Sequence, residues 1–134
     1  MNRIASRLGI FLCSLIIGSV QLTAQAQTTP QIALGNCKAC ATACEKTLNY
    51  CTEKQGKYAS ATTTNALKDC ITACKSASEF LARGSAYSQA SMATCINACN
   101  ECAKTCESFK DDNNMKACAD ECRKTAGNCS KITH

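Results

Sequence analysis

The stretch CINACNECAKTC, residues 95–106, places four cysteines at successive steps of four, three and four positions. Because an α-helix turns once in about 3.6 residues, these steps put all four thiols on one face of a helix. On a helix that packs into a bundle, this is the face that ordinarily carries leucine and other large apolar side chains. The stretch therefore predicts a helix whose buried face consists of thiols.

Three further segments of helical length repeat this pattern. The four predicted helices cover about residues 31–54, 60–83, 87–109 and 113–131. Within them the cysteines follow one another at steps of three, four or seven positions, and Met92 and Met115 extend the last two stripes backward by three. The segments lack the alternation of apolar and polar residues that is typical of strands. They read as a degenerate repeat built on C-x-x-x-C.

The breaks between the predicted helices are short and contain residues that end or begin helices. The turn RGS at 83–85 offers a C-terminal glycine and then a cap, and KDDN at 110–113 offers acidic N-cap candidates. A weaker break, QG at 55–56, separates the first two helices. Short connections between helices of similar length favour antiparallel neighbours. The predicted fold class is all-α, an antiparallel up-down four-helix bundle with a cysteine-lined core.

The first 26 residues have the features of a cleavable secretory signal peptide. Arg3 and Arg7 occur without any acid, an apolar run of eleven residues follows at 10–20, and AQA at 24–26 supplies a cleavage pattern. The run is too short to span a bilayer, and the arginines are not adjacent, so we expect the general secretory route. We therefore expect one cysteine-rich bundle domain at 27–134, exported to the periplasm or another extracytoplasmic compartment and not inserted in a membrane.

Charge and composition argue against several classes of function. Because Arg3 and Arg7 would leave with the leader, the formal charge falls from +5 to +3, which is too mild to indicate nucleic-acid binding. The only histidine is His134, so the body of the chain contains no Cys/His pair. No carboxylate pair or glycine-rich phosphate loop stands out. We predict that the protein is not an enzyme.

The C-x-x-x-C pattern occurs five times, and buried core thiols or disulfides could each explain it. The pairs are Cys40/Cys44, Cys70/Cys74, Cys95/Cys99, Cys102/Cys106 and Cys118/Cys122. Plain core cysteines would account for one or two such positions, but thirteen remain after the leader. Cβ atoms four residues apart on a helix are about 5–6 Å apart, whereas a disulfide needs about 3.5–4.5 Å. An odd count also opposes full pairing. Disulfides between helices stay open, so the alternative interpretation is a disulfide-stapled helical protein with a structural or interaction role.

Metal binding is the third interpretation, because two thiolates one helical turn apart can hold one soft ion between them. Thiolates select Cu(I), Zn(II) and iron–sulfur clusters. Four thiolates on Zn(II) leave a charge of about −2 per site, which is costly when several sites share a dry core. Cu(I) accepts two thiolates, and bridging can bring the ratio near one ion per cysteine, so the core stays nearly neutral. Paired zinc knuckles and the ferredoxin-like C-P run are absent, although a zinc-thiolate sponge would differ only in its ion.

Two methionines and the terminal histidine are further candidates for soft ligation. Met92 and Met115 are either core filler or thioether ligands at the ends of the bundle. In an up-down bundle, Met92 is expected at the end shared by Cys37, Cys129 and the C-terminal tail. His134 could reach the same end of the bundle.

The chain resembles the bacterial copper storage proteins, which are cysteine-rich four-helix bundles that hold many Cu(I) ions along their core. The resemblance rests on CKACATAC, DCITAC, CINACNECAKTC and CADEC, and on the FLARGS turn, and it extends from Cys37 to Cys129. It implies an exported storage or sequestration protein, a homotetramer of bundles, and copper-donating or copper-accepting protein partners. The Cu(I) ligands that it implies are Cys37, Cys40, Cys44, Cys51, Cys70, Cys74, Cys95, Cys99, Cys102, Cys106, Cys118, Cys122 and Cys129.

Overall fold

The computed structural model describes residues 28–133 and shows four long helices. They are α1 (Thr29–Lys54), α2 (Ala61–Ala82), α3 (Ser88–Glu107) and α4 (Asn113–Ser130), with a 3₁₀ turn at Gly56–Ala59. Each helix packs against the next in the chain, and α4 returns to pack against α1. This arrangement confirms the predicted all-α, antiparallel up-down bundle. Within the described residues, no helix combines the length and apolar character needed to cross a membrane.

The ends of the helices follow local sequence signals. Ser60 caps α2, since its hydroxyl accepts the N–H of Thr63 at 3.3 Å. Asp112 is the acidic cap of α4. Gly84 has φ of 61°, a left-handed conformation that glycine adopts without steric cost, and it follows Arg83, the C-cap of α2. The weaker break after α1 is the 3₁₀ turn, in which Gly56 also has a positive φ of 60°.

The bundle core consists mostly of sulfur and of small side chains. All thirteen cysteines of the described residues are buried, and the most exposed of them, Cys118, is only 2% exposed. Large buried apolar side chains are few among the described residues, and the main examples are Leu67, Met92, Met115 and Phe109. The predicted cysteine lining is therefore confirmed. A thiol is smaller than a leucine side chain, whose burial contributes about 1.5–3 kcal/mol, so this core gains less from apolar burial than a leucine core would.

The two ends of the bundle are built differently. The Asp112 end contains the end of α1, the 3₁₀ turn that connects α1 to α2, and the loop that connects α3 to α4. Tyr58 stacks there on Phe109 with ring centroids 4.5 Å apart, and Tyr50 meets the edge of Tyr58 at 6.0 Å. The opposite end, called the Met92 end, contains the start of α1, the turn between α2 and α3, and the finish of α4. Met92 lies about one helical turn before Cys95 there, as expected from the sequence.

Ion pairs on the outer surface join neighbouring helices. Arg123 of α4 donates two hydrogen bonds of 2.9 Å each to the carboxylate of Glu107 on α3. Lys75 of α2 pairs with Glu45 of α1. These groups are substantially exposed, so each pair adds only about 0–1 kcal/mol. These four charged residues thus lie on the solvated helix faces that the cysteine spacing leaves for them.

Candidate metal centre

Cysteine sulfurs from different helices form a continuous column along the bundle axis. At the Met92 end, Cys37 Sγ of α1 lies 3.7 Å from Cys129 Sγ of α4 and 3.9 Å from Cys95 Sγ of α3. Cys95 then approaches Cys74 of α2 at 3.4 Å, the shortest distance in the column. Each of the four helices has therefore contributed a thiol to this end of the column.

In the middle of the column, four cysteines from the four helices surround the axis. Cys40 Sγ lies 3.8 Å from Cys70 Sγ, 3.7 Å from Cys99 Sγ and 3.7 Å from Cys122 Sγ. Cys70 closes the arrangement, with its sulfur 3.7 Å from that of Cys99 and 3.9 Å from that of Cys122. An ion with metal–sulfur bonds of about 2.3 Å has sulfurs about 4.0 Å apart when three surround it and about 4.6 Å apart when two lie opposite. The sulfurs are therefore close to the spacing that a thiolate-bound ion needs.

Towards the Asp112 end, Cys44 becomes the centre of the column. Its sulfur lies 3.7 Å from that of Cys122, 3.8 Å from that of Cys118 and 4.0 Å from that of Cys102. Cys106 is buried in the same region, and hydrogen bonding to Cys102 and Cys118 raises the pKa of its thiol. The column thus continues towards the Asp112 end, where α3 finishes and α4 begins.

Neighbouring groups of sulfurs share members. Three sets of four thiols have all their sulfurs within 4.8 Å of one another, and they are Cys40/Cys70/Cys74/Cys99, Cys40/Cys44/Cys70/Cys122 and Cys44/Cys102/Cys118/Cys122. Cys40 and Cys70 belong to the first two sets, and Cys44 and Cys122 belong to the last two. Shared sulfurs can bridge two ions, so the geometry suits a cluster of ions better than a row of separate sites.

The close sulfur pairs are formed mainly between helices and not within a C-x-x-x-C motif. Cys95 and Cys99 are the closest C-x-x-x-C pair in the part of the chain described, with sulfurs 3.9 Å apart. The pairs Cys40/Cys44, Cys70/Cys74 and Cys118/Cys122 each lie within one of the sets whose sulfurs are all within 4.8 Å. The expectation that each pair on one helix supplies two ligands for one ion stays a prediction, since a pair within 4.8 Å is near the spacing of two ligands on one ion. The structure shows that the spacing places the thiols on the core face, where most of them also have sulfur neighbours on other helices.

Methionine sulfur joins the array at the Asp112 end. Cys51 Sγ lies 3.5 Å from Met115 Sδ, and both side chains are 0% exposed. Met92 is also buried, at 1% exposure, near the other end of the bundle. His134 lies outside the described residues, so its suggested approach to the Met92 end stays a prediction.

All thirteen cysteines of the described residues are free thiols. Their shortest sulfur–sulfur distance, 3.4 Å between Cys74 and Cys95, is well beyond the bond length of about 2.05 Å in a disulfide. This is the reduced form of the core, the form in which thiols are available to metal ions.

Proton sharing between sulfurs shifts the thiol pKa values in opposite directions. Hydrogen bonding with Cys122 and Cys44 lowers the pKa of Cys40, while hydrogen bonding with Cys102 and Cys118 raises the pKa of Cys122. Burial raises the pKa of Cys51 to about 11. Because burying several uncompensated negative charges in one dry core is costly, the full set of thiols can ionise only when cations enter with them.

A cluster of polar side chains closes the Asp112 end, and sequence reasoning had identified only its helix-capping role. The Asp112 carboxylate accepts hydrogen bonds from the hydroxyls of Tyr50 at 2.6 Å and Tyr58 at 3.0 Å, and it pairs with Lys54 at 3.2 Å. Although burial opposes ionisation, the hydrogen bonds from Tyr50, the Met115 N–H, Tyr58 and Lys54 hold the pKa of Asp112 well below its usual range. The spacing of Tyr50, Lys54 and Tyr58 by four residues was the available signal.

These features define a class of protein, a four-helix bundle whose core is a continuous array of thiols suited to soft metal ions. The family model for copper storage proteins matches residues 26–134. The chain therefore belongs to the copper storage protein family, as the resemblance had implied.

Two solved structures share the fold. The first is a protein from Nitrosospira multiformis, with 28% sequence identity and a TM-score of 0.72, over 78% of this chain and 94% of that one. The second is the Cu(I)-bound copper storage protein BsCsp3, with 20% identity and a TM-score of 0.74, over 80% of this chain and 100% of that one. At that identity, the second likeness shows the fold alone. A search of curated proteins found no match.

Proposed function

We propose that this protein is an exported copper storage protein that sequesters many Cu(I) ions per chain through the thiolates of its core cysteines. The observation that carries the proposal is the sharing of sulfurs between neighbouring four-thiol sets, in which Cys40 and Cys122 each belong to two sets. An isolated structural zinc site uses four ligands for one ion. Shared sulfurs instead let the number of ions approach the number of thiols.

Charge and softness favour Cu(I) over Zn(II) as the cargo. One thiolate and one Cu(I) form a neutral unit, so thirteen thiolates can take up about thirteen Cu(I) without leaving net charge in the core. Zn(II) held by shared thiolates would leave unbalanced charge in a region that contains no buried lysine or arginine among the described residues. The Cu(I)-bound state of the structural neighbour BsCsp3 supports the same choice.

The proposed ligands are all thirteen core cysteines, and the proposed role is storage without catalysis. Loading is driven by the affinity of soft ligands for a soft ion, and each thiol releases its proton as it binds. Copper-donating or copper-accepting proteins are the expected partners. Whether the stored copper serves a cuproenzyme or is only detoxified does not alter the chemistry of the core.

Export to the periplasm or another extracytoplasmic compartment and assembly into a homotetramer are also parts of this proposal, and neither rests on the geometry of the core. Export is supported by the leader pattern at 1–26, which lies outside the described residues. A homotetramer is supported by the resemblance to the family. Mass spectrometry of the secreted protein should find an N-terminus at Gln27, and retention of the leader would argue against export.

Titration with Cu(I) tests the storage function directly. The reduced protein is titrated against a competing Cu(I) chelator while the free thiols are counted with a thiol-specific reagent. We expect tight uptake of about one Cu(I) per thiol, and in any case about ten or more ions per chain, with a parallel loss of reactive thiols.

A parallel titration with Zn(II) serves as the control for ion choice. Uptake of only one or two Cu(I), with most thiols already paired in the protein as isolated, would overturn the proposal and support the disulfide-stapled alternative. Equal or greater loading with Zn(II) in competition with Cu(I) would contradict the choice of cargo.

A further inference from the structure

The thiol of Cys51 has a thioether as its close sulfur neighbour at the Asp112 end. Its Sγ lies 3.5 Å from Sδ of Met115, and both residues are completely buried. The sequence separation is 64 residues, so the contact is made between α1 and α4. Both atoms are soft sulfur donors, of the kind that selects Cu(I).

The position of Met115 is set by the cap of α4. Asp112 Oδ1 accepts the backbone N–H of Met115 at 3.1 Å and that of Asn114 at 2.9 Å. The same carboxylate is held from the other side by Tyr50 and Tyr58. The Asp112 carboxylate therefore links the backbone that carries the thioether to Tyr50 and Tyr58, and this fixes the start of α4.

A buried negative charge beside this sulfur pair favours a thioether over a second thiolate. Asp112 Oδ1 accepts the N–H of Met115, which places this carboxylate next to the sulfur pair, while Lys54 pairs with its other oxygen, Oδ2. Two thiolates on one Cu(I) carry a net charge of −1, whereas one thiolate and one thioether on Cu(I) are neutral. Because like charges repel strongly in a region of low dielectric, the neutral combination suits this end of the bundle.

From these contacts we infer that Cys51 and Met115 form a mixed thiolate–thioether site for Cu(I), which terminates the metal column at the Asp112 end. The inference rests on the proposed function and adds a ligand of a different chemical type to it. A near-linear sulfur–metal–sulfur unit spans about 4.6 Å, about 1.1 Å more than the distance in the protein. The three rotatable bonds of methionine can provide this movement without displacing a helix.

Selenium X-ray absorption of selenomethionine-labelled, Cu(I)-loaded protein tests the site. The chain contains three methionines, Met1, Met92 and Met115. We expect scattering from copper in the selenium spectrum of the wild-type protein and of Met92→Leu, and loss of that scattering in Met115→Leu. Leucine is close in volume to methionine but has no donor atom, so the bundle should stay folded, as circular dichroism would verify.

A second variant tests the partner of Met115. Cys51→Ser, made in the Met92→Leu protein, leaves Met115 as the one labelled methionine of 27–134, and we expect it to abolish the copper scattering because serine is a poor ligand for Cu(I). Persistence of the scattering when Cys51→Ser is combined with Met92→Leu would overturn the mixed site. If Met92→Leu protein takes up about ten or more Cu(I) but shows no copper scattering in its selenium spectrum, the mixed site is overturned while the storage function is left intact. Uptake of only one or two ions by the wild type would remove both.

Discussion

Cys40 and Cys122 have their sulfurs 3.7 Å apart although the two residues are 82 positions apart in the chain. Cys40 lies on α1 and Cys122 on α4, and each belongs to two of the three four-thiol sets. The pair therefore connects the part of the column near the Met92 end with the part near the Asp112 end.

Replacing Cys122 by serine should reduce copper loading more than replacing a cysteine at the edge of the column. Serine keeps the size of the side chain but offers a hard oxygen in place of a soft thiolate. Because Cys122 belongs to two sets, we expect Cys122→Ser to lose about two Cu(I) per chain. Copper is measured by chelator competition. Cys106→Ser, a buried thiol outside those sets, is the matched control and should lose about one ion. Equal losses would show that the sulfurs are not shared.

Loading with Cu(I) should raise the melting temperature of the protein strongly. The apo core contains few large apolar side chains, whereas bound metal links all four helices and favours only the folded state. One site filled at a free ion concentration of 100 times its Kd adds about 2.7 kcal/mol. For a domain of this size, each kcal/mol raises Tm by about 4–8 °C. Several filled sites should therefore raise Tm by more than about 10 °C in calorimetry. Equal melting temperatures for apo and loaded protein would contradict metal binding in the core.

The apo protein should lose stability in alkaline solution. The folded pKa of Cys51 is raised from 9.0 to about 11, so the stability linked to this thiol is fully present below about pH 9. It is lost as the pH rises through about 11, because the unfolded chain releases the proton first. Denaturant unfolding between pH 7 and 11 measures the effect.

Two comparisons isolate the contribution of Cys51. The stability difference between wild type and Cys51→Ala should shrink over this alkaline range. Cu(I)-loaded protein should not show the Cys51 contribution, since the thiol has already released its proton to the ion. An unchanged difference between wild type and Cys51→Ala across the range would disprove the assignment.

The Asp112 network should make a measurable contribution to stability. Asp112→Asn preserves an oxygen that can cap α4 but removes the charge that Tyr50 and Tyr58 hydrogen-bond to, so we expect a loss of about 1–3 kcal/mol. The exposed neighbour Asp111→Asn is the matched control and should change stability by less than about 0.5 kcal/mol. Denaturant unfolding at neutral pH measures both variants, and equal effects would rule out a special role for Asp112.

The same network should be sensitive to acid. The folded pKa of Asp112 lies below its ordinary value of 3.8, so its contribution is present above about pH 4 and is lost as the pH falls through the folded pKa. The stability difference between wild type and Asp112→Asn should therefore become smaller in strong acid. A difference that stayed constant with pH would indicate that the carboxylate charge is not involved.

The helices and their buried faces could be predicted from the sequence because both depend on local patterns. Spacings of three, four and seven residues between cysteines determine which face of a helix is apolar. Caps such as Ser60 and Asp112 stand within one turn of the helix that they begin. The bounds of α1 to α4 differ by no more than two residues from those expected. Burial of the cysteines follows from the same spacing, since the stripe of each helix must face its neighbours.

The partners of each sulfur were decided only by the tertiary structure. The approach of Cys40 to Cys122, the contact of Cys51 with Met115 and the gathering of two tyrosines around Asp112 depend on the rotation and the axial register of helices that are remote in sequence. A periodic stripe specifies a face but not which residue lies opposite on the next helix. That is why the sequence by itself determined a thiol-lined bundle, and the packing of the four helices determined which thiols can share one metal ion.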